Sequence, residues 1–164
     1  MEKPYTIFIT LGSQKFQFNR LLMAVDEQIK QGKIKDDIFA QTGASDYIPK
    51  RYEFKDFLDR EDFAKRMDKA DIVITHGGTG AIIGAVKKGK KVIAVPRLKK
   101  YGEHVDDHQL QLISQFKNLN LICDCKDCDD LWEAIETVKI TEYKSYQGYT
   151  ERIIQNIEDF IGKE

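Results

Sequence analysis

The apolar positions of the chain alternate between two patterns, and this alternation predicts its secondary structure. Short apolar runs, typical of strands buried on both faces, alternate with segments that repeat apolar residues at helical spacing. The predicted strands are Tyr5–Thr10, Asp37–Gly43, a short extended piece at Tyr52–Phe54, Asp71–Gly78, Lys91–Pro96 and Leu119–Cys123. The predicted helices are Asn19–Gln31, Arg60–Ala70, Thr79–Lys88, Asp107–Lys117, Asp129–Val138 and Thr150–Ile161.

This order predicts an α/β fold, with one Rossmann-like domain over residues 1–164. Strands that alternate with helices form an open, mostly parallel sheet with helices on both faces. The final amphipathic helix, 150–161, leaves two interpretations open, because its apolar stripe could pack on this sheet or face a partner. The stripe consists of Ile153, Ile154, Ile157, Phe160 and Ile161.

Polar and glycine residues mark several of the predicted helix ends. Asn19 and Asp107 stand where a side chain would cap the first turn of a helix. Gly32 and Gly89 stand just beyond helix ends, where a left-handed residue usually stops the helix.

Composition narrows the functional classes. The chain has 164 residues, enough for one domain, and its net charge of −1 provides no basic field for nucleic acid. No apolar run approaches the roughly 18 residues of a membrane helix, and the first ten residues lack a signal-peptide core. We therefore expect a cytoplasmic protein. Cys123, Cys125 and Cys128 suggest either a metal site that lacks its fourth ligand or an ordinary strand end and loop.

The segment His76–Gly80, HGGTG, lies between a predicted strand and a predicted helix. Its three glycines would let the backbone turn sharply and expose the amides of the helix N-terminus, which favour phosphate or diphosphate. Thr79 could add a hydroxyl and His76 an imidazole donor. Alternatively, the turn needs its glycines for packing alone.

Two familiar phosphate-binding motifs do not fit this region. The dinucleotide fingerprint requires G-x-G-x-x-G after the first strand, but Ile83 stands at the third glycine position and the turn follows a late strand. The segment Gly84–Lys91 approaches a P-loop but ends in lysine where a hydroxyl residue is needed, and it closes a helix.

Charged residues cluster after Pro96 in a long loop. The basic ones are Arg97, Lys99, Lys100, His104 and His108, and the acidic ones are Glu103, Asp106 and Asp107. Such a set could bind metal, contact the hydroxyls and phosphates of a sugar nucleotide, or simply be solvated. The lysines at 87, 88, 90 and 91 are interpreted as a solvated face, or with Lys99 and Lys100 as a surface for anionic lipid.

Together these motifs resemble a known family. The sequence THGGTGAIIGAVKKGKKVIAVP, followed by DDHQLQL, resembles the carboxyl-terminal domain of the family 28 glycosyltransferases, which have the GT-B fold. ITLGSQKFQFNRLL resembles the family's first donor-domain loop, and the likeness covers Tyr5 to Phe116. The chain is most similar in kind to the small soluble subunit of two-part glycosyltransferases, found in bacterial exopolysaccharide and capsule synthesis and in the eukaryotic dolichol pathway.

The resemblance implies half of a GT-B active site, since the length leaves room for one of two Rossmann-like domains. Donor diphosphate would be held by His76, Gly77, Gly78, Thr79 and Gly80. The nucleotide and sugar would be contacted by Gly12, Ser13, Gln14, Arg97, His104, Asp107, His108 and Gln109. No metal or other cofactor is expected besides the UDP-sugar donor, and His76 and His104 are expected only as electrostatic helpers. The resemblance assigns no general base to this chain.

The implied function is donor binding within an inverting, two-component glycosyltransferase. Its partner would be a membrane-anchored, acceptor-binding subunit that recruits this chain to the inner face of the membrane and acts on a lipid-linked saccharide. One position departs from the family, because Gly84 stands where many members carry a glutamate that grips the ribose. This departure leaves open a non-catalytic role as an enhancer or stabiliser of the partner enzyme.

Overall fold

The computed structural model describes residues 4–12 and 14–146, together with positions 152, 155, 156, 158 and 159. The strands are β1 (Thr6–Thr10), β2 (Asp37–Gln41), β3 (Glu53–Lys55), β4 (Ile72–His76), β5 (Lys91–Val95) and β6 (Cys123–Asp124). The helices are α1 (Asn19–Lys30), α2 (Arg60–Lys69), α3 (Thr79–Lys87), α4 (His108–Asn118) and α5 (Leu131–Ile140). Short 3-10 turns lie at Lys99–Tyr101 and Cys128–Asp130.

The six strands form one open sheet in the order β3-β2-β1-β4-β5-β6, and every pair is parallel. This arrangement confirms the predicted α/β fold class. The strand order reverses between β1 and β4. In doubly wound sheets the crevice outside the carboxyl ends of the strands at such a reversal is where ligands bind.

Alternate strand residues supply two apolar cores, one on each face of the sheet. Ile7 and Ile9 of β1 pack with α1 and α5, whereas Phe8 between them packs with α2, α3 and α4. Because the central strands are covered on both faces, they are apolar throughout, which is why they read as continuous runs in the sequence.

Two of the predicted helix stops are confirmed, and one predicted cap is wrong. Gly32 and Gly89 follow α1 and α3 with φ of 75° and 73°, the left-handed conformation that glycine adopts without strain. Phe18, not Asn19, is the N-cap residue of α1. The Asn19 carboxamide oxygen instead accepts the backbone N–H groups of Asp46 and Tyr47, and so fixes the loop after β2 to the start of α1.

The strand predicted at Leu119–Cys123 is largely wrong. α4 continues to Asn118, and Asn120 adopts a left-handed φ of 58°, which turns the chain away from extended structure. Leu121 and Ile122 are buried without belonging to a strand, and β6 has only two residues. The apolar run is explained by burial, because an irregular segment that covers a core also needs apolar side chains. Such a segment cannot be told from a strand by its apolar residues alone.

The two groups of lysines lie at opposite ends of β5, because Lys91 begins the strand and Lys99 follows its end. The lipid surface that would join them stays a prediction. Lys91 is also not simply solvated, because its Nζ donates to the carbonyl of Val138 at 2.7 Å and so helps to close α5.

None of the described helices is both long and apolar enough to cross a bilayer. Seven of the twelve positions of the predicted helix 150–161 lie outside the described residues, including all five apolar positions of its stripe, and the five described positions are helical. Its role, and the extent of the domain to residue 164, stay predictions.

Candidate functional site

The residues predicted to bind the donor converge at the carboxyl edge of the sheet, where the strand order reverses. His76 ends β4, the β1 loop (residues 11, 12 and 14–18) follows the neighbouring strand, and the β5 loop (residues 96–107) follows the next one. Parallel strands place all three connections at one edge. The structure therefore brings together segments that are separated by up to 90 residues in the sequence.

The glycine turn (His76–Gly80) needs its first two glycines for close packing. None of Gly77, Gly78 and Gly80 has a positive φ, so these glycines are not needed for a left-handed conformation. A Cβ at Gly77 would lie 2.7 Å from Cβ of Gln109, and a Cβ at Gly78 would lie 2.2 Å from Cε1 of His76. A Cβ at Gly80 would meet open space.

α3 begins directly at this turn and presents its amides to the carboxyl edge. Its N-cap residue is Gly78, and no side chain caps its first turn. The first amides of a helix have no partners within the helix, and together with the helix dipole they favour an anion. Gly80 leaves open space beside them. The nine-residue helix thus offers the anion-binding end that the sequence predicts.

Burial keeps His76 neutral, which fits the imidazole donor that the sequence predicts and leaves it no charge. Burial, followed by the positive charges of Arg97 and His104, lowers the pKa of His76 to about 3. Its Nδ1 accepts the backbone N–H of Gly78 at 3.1 Å, so the ring proton belongs on Nε2. His76 therefore contributes a directed N–H donor and no charge, since it is un-ionised at neutral pH.

Gly12 allows this imidazole to lie against the β1 loop. A Cβ at Gly12 would be 2.9 Å from His76 Nε2, and the residue has a φ of 77°, so glycine is required on both grounds. Gln14 is exposed in the same loop, whereas Ser13 lies outside the described residues. The structure thus places Gly12 at the predicted site and leaves the contribution of Ser13 a prediction.

Gln109 holds the glycine turn and the β5 loop together. Its Oε1 accepts the backbone N–H groups of Gly77 and Arg97, each at 3.0 Å, and its Nε2 lies 3.3 Å from Nδ1 of His76. The side chain is buried, so these bonds form away from water. The predicted sugar contact of Gln109 remains untested, but its side-chain oxygen already serves two backbone donors in this structure.

Arg97 and Glu103 are buried charged residues of the β5 loop. The Arg97 guanidinium donates to backbone carbonyls of the β1 loop, and its side chain is 1% exposed. Glu103 accepts both Nε and Nη2 of Arg20 at 3.1 Å and also the backbone N–H of Leu98 at 3.0 Å. The sequence did not indicate a role for Arg20, because its partner Glu103 lies 83 residues away and no local pattern predicts their contact.

The histidines and acids of the β5 loop form a smaller cluster. Nδ1 of His104 and Nδ1 of His108 lie 3.3 and 3.5 Å from the two carboxylate oxygens of Asp106. The His108 backbone N–H, followed by the charges of both histidines, lowers the pKa of Asp106. Asp107 is the N-cap residue of α4, as predicted, but its carboxylate accepts the Lys99 backbone N–H and no amide of the helix.

The cysteine segment offers little support for a metal or redox site. All three cysteines are free thiols, and burial raises the pKa of Cys128 to about 12. Within the described part of the chain, no three His, Cys, Asp or Glu side chains are arranged to hold a metal ion.

A groove of about 1050 Å³ lies along α1, beside Arg20, Met23 and Tyr101. The glycine turn contributes no residue to its lining. The groove and the candidate chemistry therefore lie on different surfaces, because the uncapped first turn of α3 is at the glycine turn.

The family model of the glycosyltransferase family 28 C-terminal domain matches residues 6–161. The chain belongs to this family. Its relatives include human UDP-N-acetylglucosamine transferase subunit ALG13, which is 28% identical over 118 residues. A tRNA dimethylallyltransferase 2 of Phocaeicola vulgatus is 30% identical over 115 residues. These matches cover 66% and 67% of this chain but only 10% and 36% of the two relatives. The likeness therefore concerns a part of each relative.

Solved structures place this family 28 domain among the halves of GT-B enzymes. The NMR structure of ALG13 has a TM-score of 0.59 at 18% identity, with 93% of this chain and 96% of that chain covered. The crystal structure of MurG from Acinetobacter baumannii gives a TM-score of 0.59 at 18% identity. The match covers all of this chain and 51% of the MurG chain. These likenesses confirm the fold and the predicted family resemblance.

Proposed function

We propose that this chain binds the nucleotide-sugar donor for a two-component, inverting glycosyltransferase. The carrying observation is the uncapped start of α3, which faces the carboxyl edge beside the neutral His76 and the closely packed Gly12. Membership of the family supplies the reaction class. The relative UDP-N-acetylglucosamine transferase subunit ALG13 supports both a UDP-sugar and a partner subunit.

In this proposal the chain's own groups stabilise a departing diphosphate. The first amides of α3 and the Nε2–H of His76 donate hydrogen bonds to phosphate oxygens as negative charge develops on them. The charge of Arg97 adds a positive potential, because this guanidinium is close enough to depress the pKa of His76. The general base belongs to the acceptor-binding partner, and no residue of this chain is assigned to it.

We further propose that the partner is membrane-anchored and acts on a lipid-linked saccharide in exopolysaccharide or capsule synthesis. It would hold this chain at the inner face of the membrane and form a heterodimer with it. This part rests on the resemblance of LGSQKFQFNRLL, AQTG and YGEHVDDHQ to the small subunits of the bacterial exopolysaccharide type.

Titration of the isotope-labelled chain with UDP tests donor binding. We expect the amide resonances of Gly12 and of residues 77–81 to shift, with those of the α2 residues unchanged. The affinity should be the same with and without a chelator, because the proposed contacts need no metal. Absence of shifts at the glycine turn would refute the donor site.

A second experiment tests the two-component proposal. The chain is assayed with UDP-sugars alone and together with the protein encoded beside it. We expect transfer only from the pair, so transfer by the chain alone would contradict the proposal.

The alternative function is a non-catalytic enhancer of the partner enzyme, and one observation favours it. Gly84 is exposed, and a Cβ there would meet open space, so no side chain stands at the position where the family's ribose-gripping glutamate is expected. If the chain is only an enhancer, Gly78→Ala should leave the activity of the pair nearly intact. Donor binding instead requires a severe loss.

A further inference from the structure

We propose that Arg97 is a positioning residue, which holds the β1 loop in the shape that donor binding requires; this inference rests on the proposed function. The sequence suggests direct contact with nucleotide or sugar. The structure instead places the guanidinium beneath the β1 loop, where its Nη2 donates to the Leu11 carbonyl at 2.8 Å and to the Phe16 carbonyl at 3.2 Å. These two carbonyls lie on either side of Gly12 and Gln14.

The surroundings of Arg97 show that its charge is not neutralised by hydrogen bonding to an acid. Glu103 is the acid whose charge acts on it, but both oxygens of that carboxylate are bound by Arg20. Among the described residues, Nε and Nη1 of Arg97 have no hydrogen-bond partner. Burial lowers the pKa of Arg97 to about 10, which still leaves it charged at neutral pH.

This arrangement is costly for stability. A buried charge whose hydrogen bonds are incompletely satisfied costs free energy, and apolar replacements of buried ionic groups are often neutral or stabilising. Packing alone therefore does not explain an arginine here. A fixed β1 loop beside the anion-binding end of α3 does, because misplacement of a binding segment weakens binding strongly.

Other contacts between the β1 and β5 loops place Arg97 at the centre of their junction. The ring of Phe16 lies on His104 with centroids 4.8 Å apart, and Gln17 Nε2 donates to the Tyr101 carbonyl at 3.1 Å. The backbone N–H of Arg97 is held by Gln109, which also binds the glycine turn. Arg97 thus links the β1 loop to the same side chain that fixes the start of α3.

The test compares Arg97→Met and Arg97→Lys with the wild type by hydrogen exchange and UDP titration. In R97M we expect the amides of Leu11 and Phe18, which donate to the Gln41 carbonyl and the Ser45 hydroxyl, to lose protection by about tenfold or more and the UDP affinity to fall by a similar factor. The melting temperature should stay close to that of the wild type. R97K should restore much of the protection and affinity, since its ammonium can donate to the same carbonyls.

The matched control is Arg60→Met, which removes an exposed arginine from α2. It should leave exchange at Leu11 and Phe18 and the UDP affinity unchanged. Unchanged protection and affinity in R97M would overturn the proposal, as would equal loss in R97M and R97K. If R97M fails to fold, exchange in the wild type tests the proposal. The Leu11 and Phe18 amides must then exchange well below the free-peptide rate, and exchange at that rate refutes the proposal.

The outcomes also separate this inference from the proposed function. A wild-type chain that binds no UDP contradicts donor binding, while the exchange comparison between R97M and R97K still tests whether Arg97 holds the loop. Normal UDP binding by R97M, with loosened Leu11 and Phe18 amides, refutes the positioning role alone.

Discussion

The glycines of the site differ in what each position can tolerate. Gly78 lies against the His76 ring, where an added Cβ would be 2.2 Å from Cε1, whereas a Cβ on Gly84 in the middle of α3 meets nothing within 4 Å. The two positions are six residues apart in one short segment, so one substitution at each makes a matched pair.

We expect Gly78→Ala to lower the free energy of unfolding by about 1–3 kcal/mol, since the imidazole must move and the surrounding core is closely packed. Gly84→Ala should raise it by roughly 0.5–1 kcal/mol, because alanine favours a helix interior. Urea unfolding of both variants and the wild type measures the difference. Equal stability of the two variants would show that the ring is not held against the turn.

At the scale of secondary-structure elements, Gln109 joins the end of β4, the start of the β5 loop and the first turn of α4. Its Oε1 accepts the backbone N–H groups of Gly77 and Arg97 within the buried junction. Truncation leaves those donors unpaired away from water. We expect Gln109→Ala to cost about 2–4 kcal/mol, from two buried donors at ~1–3 kcal/mol each with partial relief by solvent.

Gln115→Ala is the control for this substitution, because Gln115 is exposed on the same helix. Its effect should stay within about 0.5 kcal/mol. Denaturant unfolding checks both, and in Q109A the amides of Gly77 and Arg97 should also lose protection against hydrogen exchange. If Q109A lowers the free energy of unfolding no more than Q115A does, Gln109 does not hold these elements together.

How far the sequence predicts this structure depends on whether a feature is set locally. The central strands, the helices and the stops at Gly32 and Gly89 follow from periodicity and backbone preference, so they could be predicted. The sequence also predicts Asn19 as a helix cap, but its side chain instead accepts backbone N–H groups of the loop after β2. Such bonds depend on tertiary neighbours, which no local pattern specifies.

The candidate site shows the same division. The parallel sheet predicts that His76, Gly12 and Arg97 meet at one edge, and they do. The sequence could not predict that His76 is neutral or that Arg97 turns inward to the β1 loop. Both facts follow from burial and from contacts across more than 60 residues, and the second changes the role expected for Arg97.

At the scale of the whole molecule, the burial of His76 should make the free energy of unfolding depend on pH, because burial disfavours the protonated imidazole. Histidine in an unfolded chain has a pKa of about 6.5, whereas that of His76 in the fold is lowered to about 3. Between these values the unfolded state binds more protons than the folded state. Stability is therefore fully present above about pH 6.5 and is lost as the pH falls towards 3.

We expect the wild type to lose on the order of 3 kcal/mol more than His76→Asn between pH 7 and pH 4, with the sign set by this proton uptake. Asparagine can still accept the Gly78 N–H but does not titrate, and both proteins keep His104, His108 and Asp106, so their contributions cancel. Urea unfolding at several pH values measures the two slopes. Parallel slopes would show that His76 accepts a proton in the folded protein as readily as in the unfolded chain, which would remove the basis for treating it as a neutral donor at the start of α3.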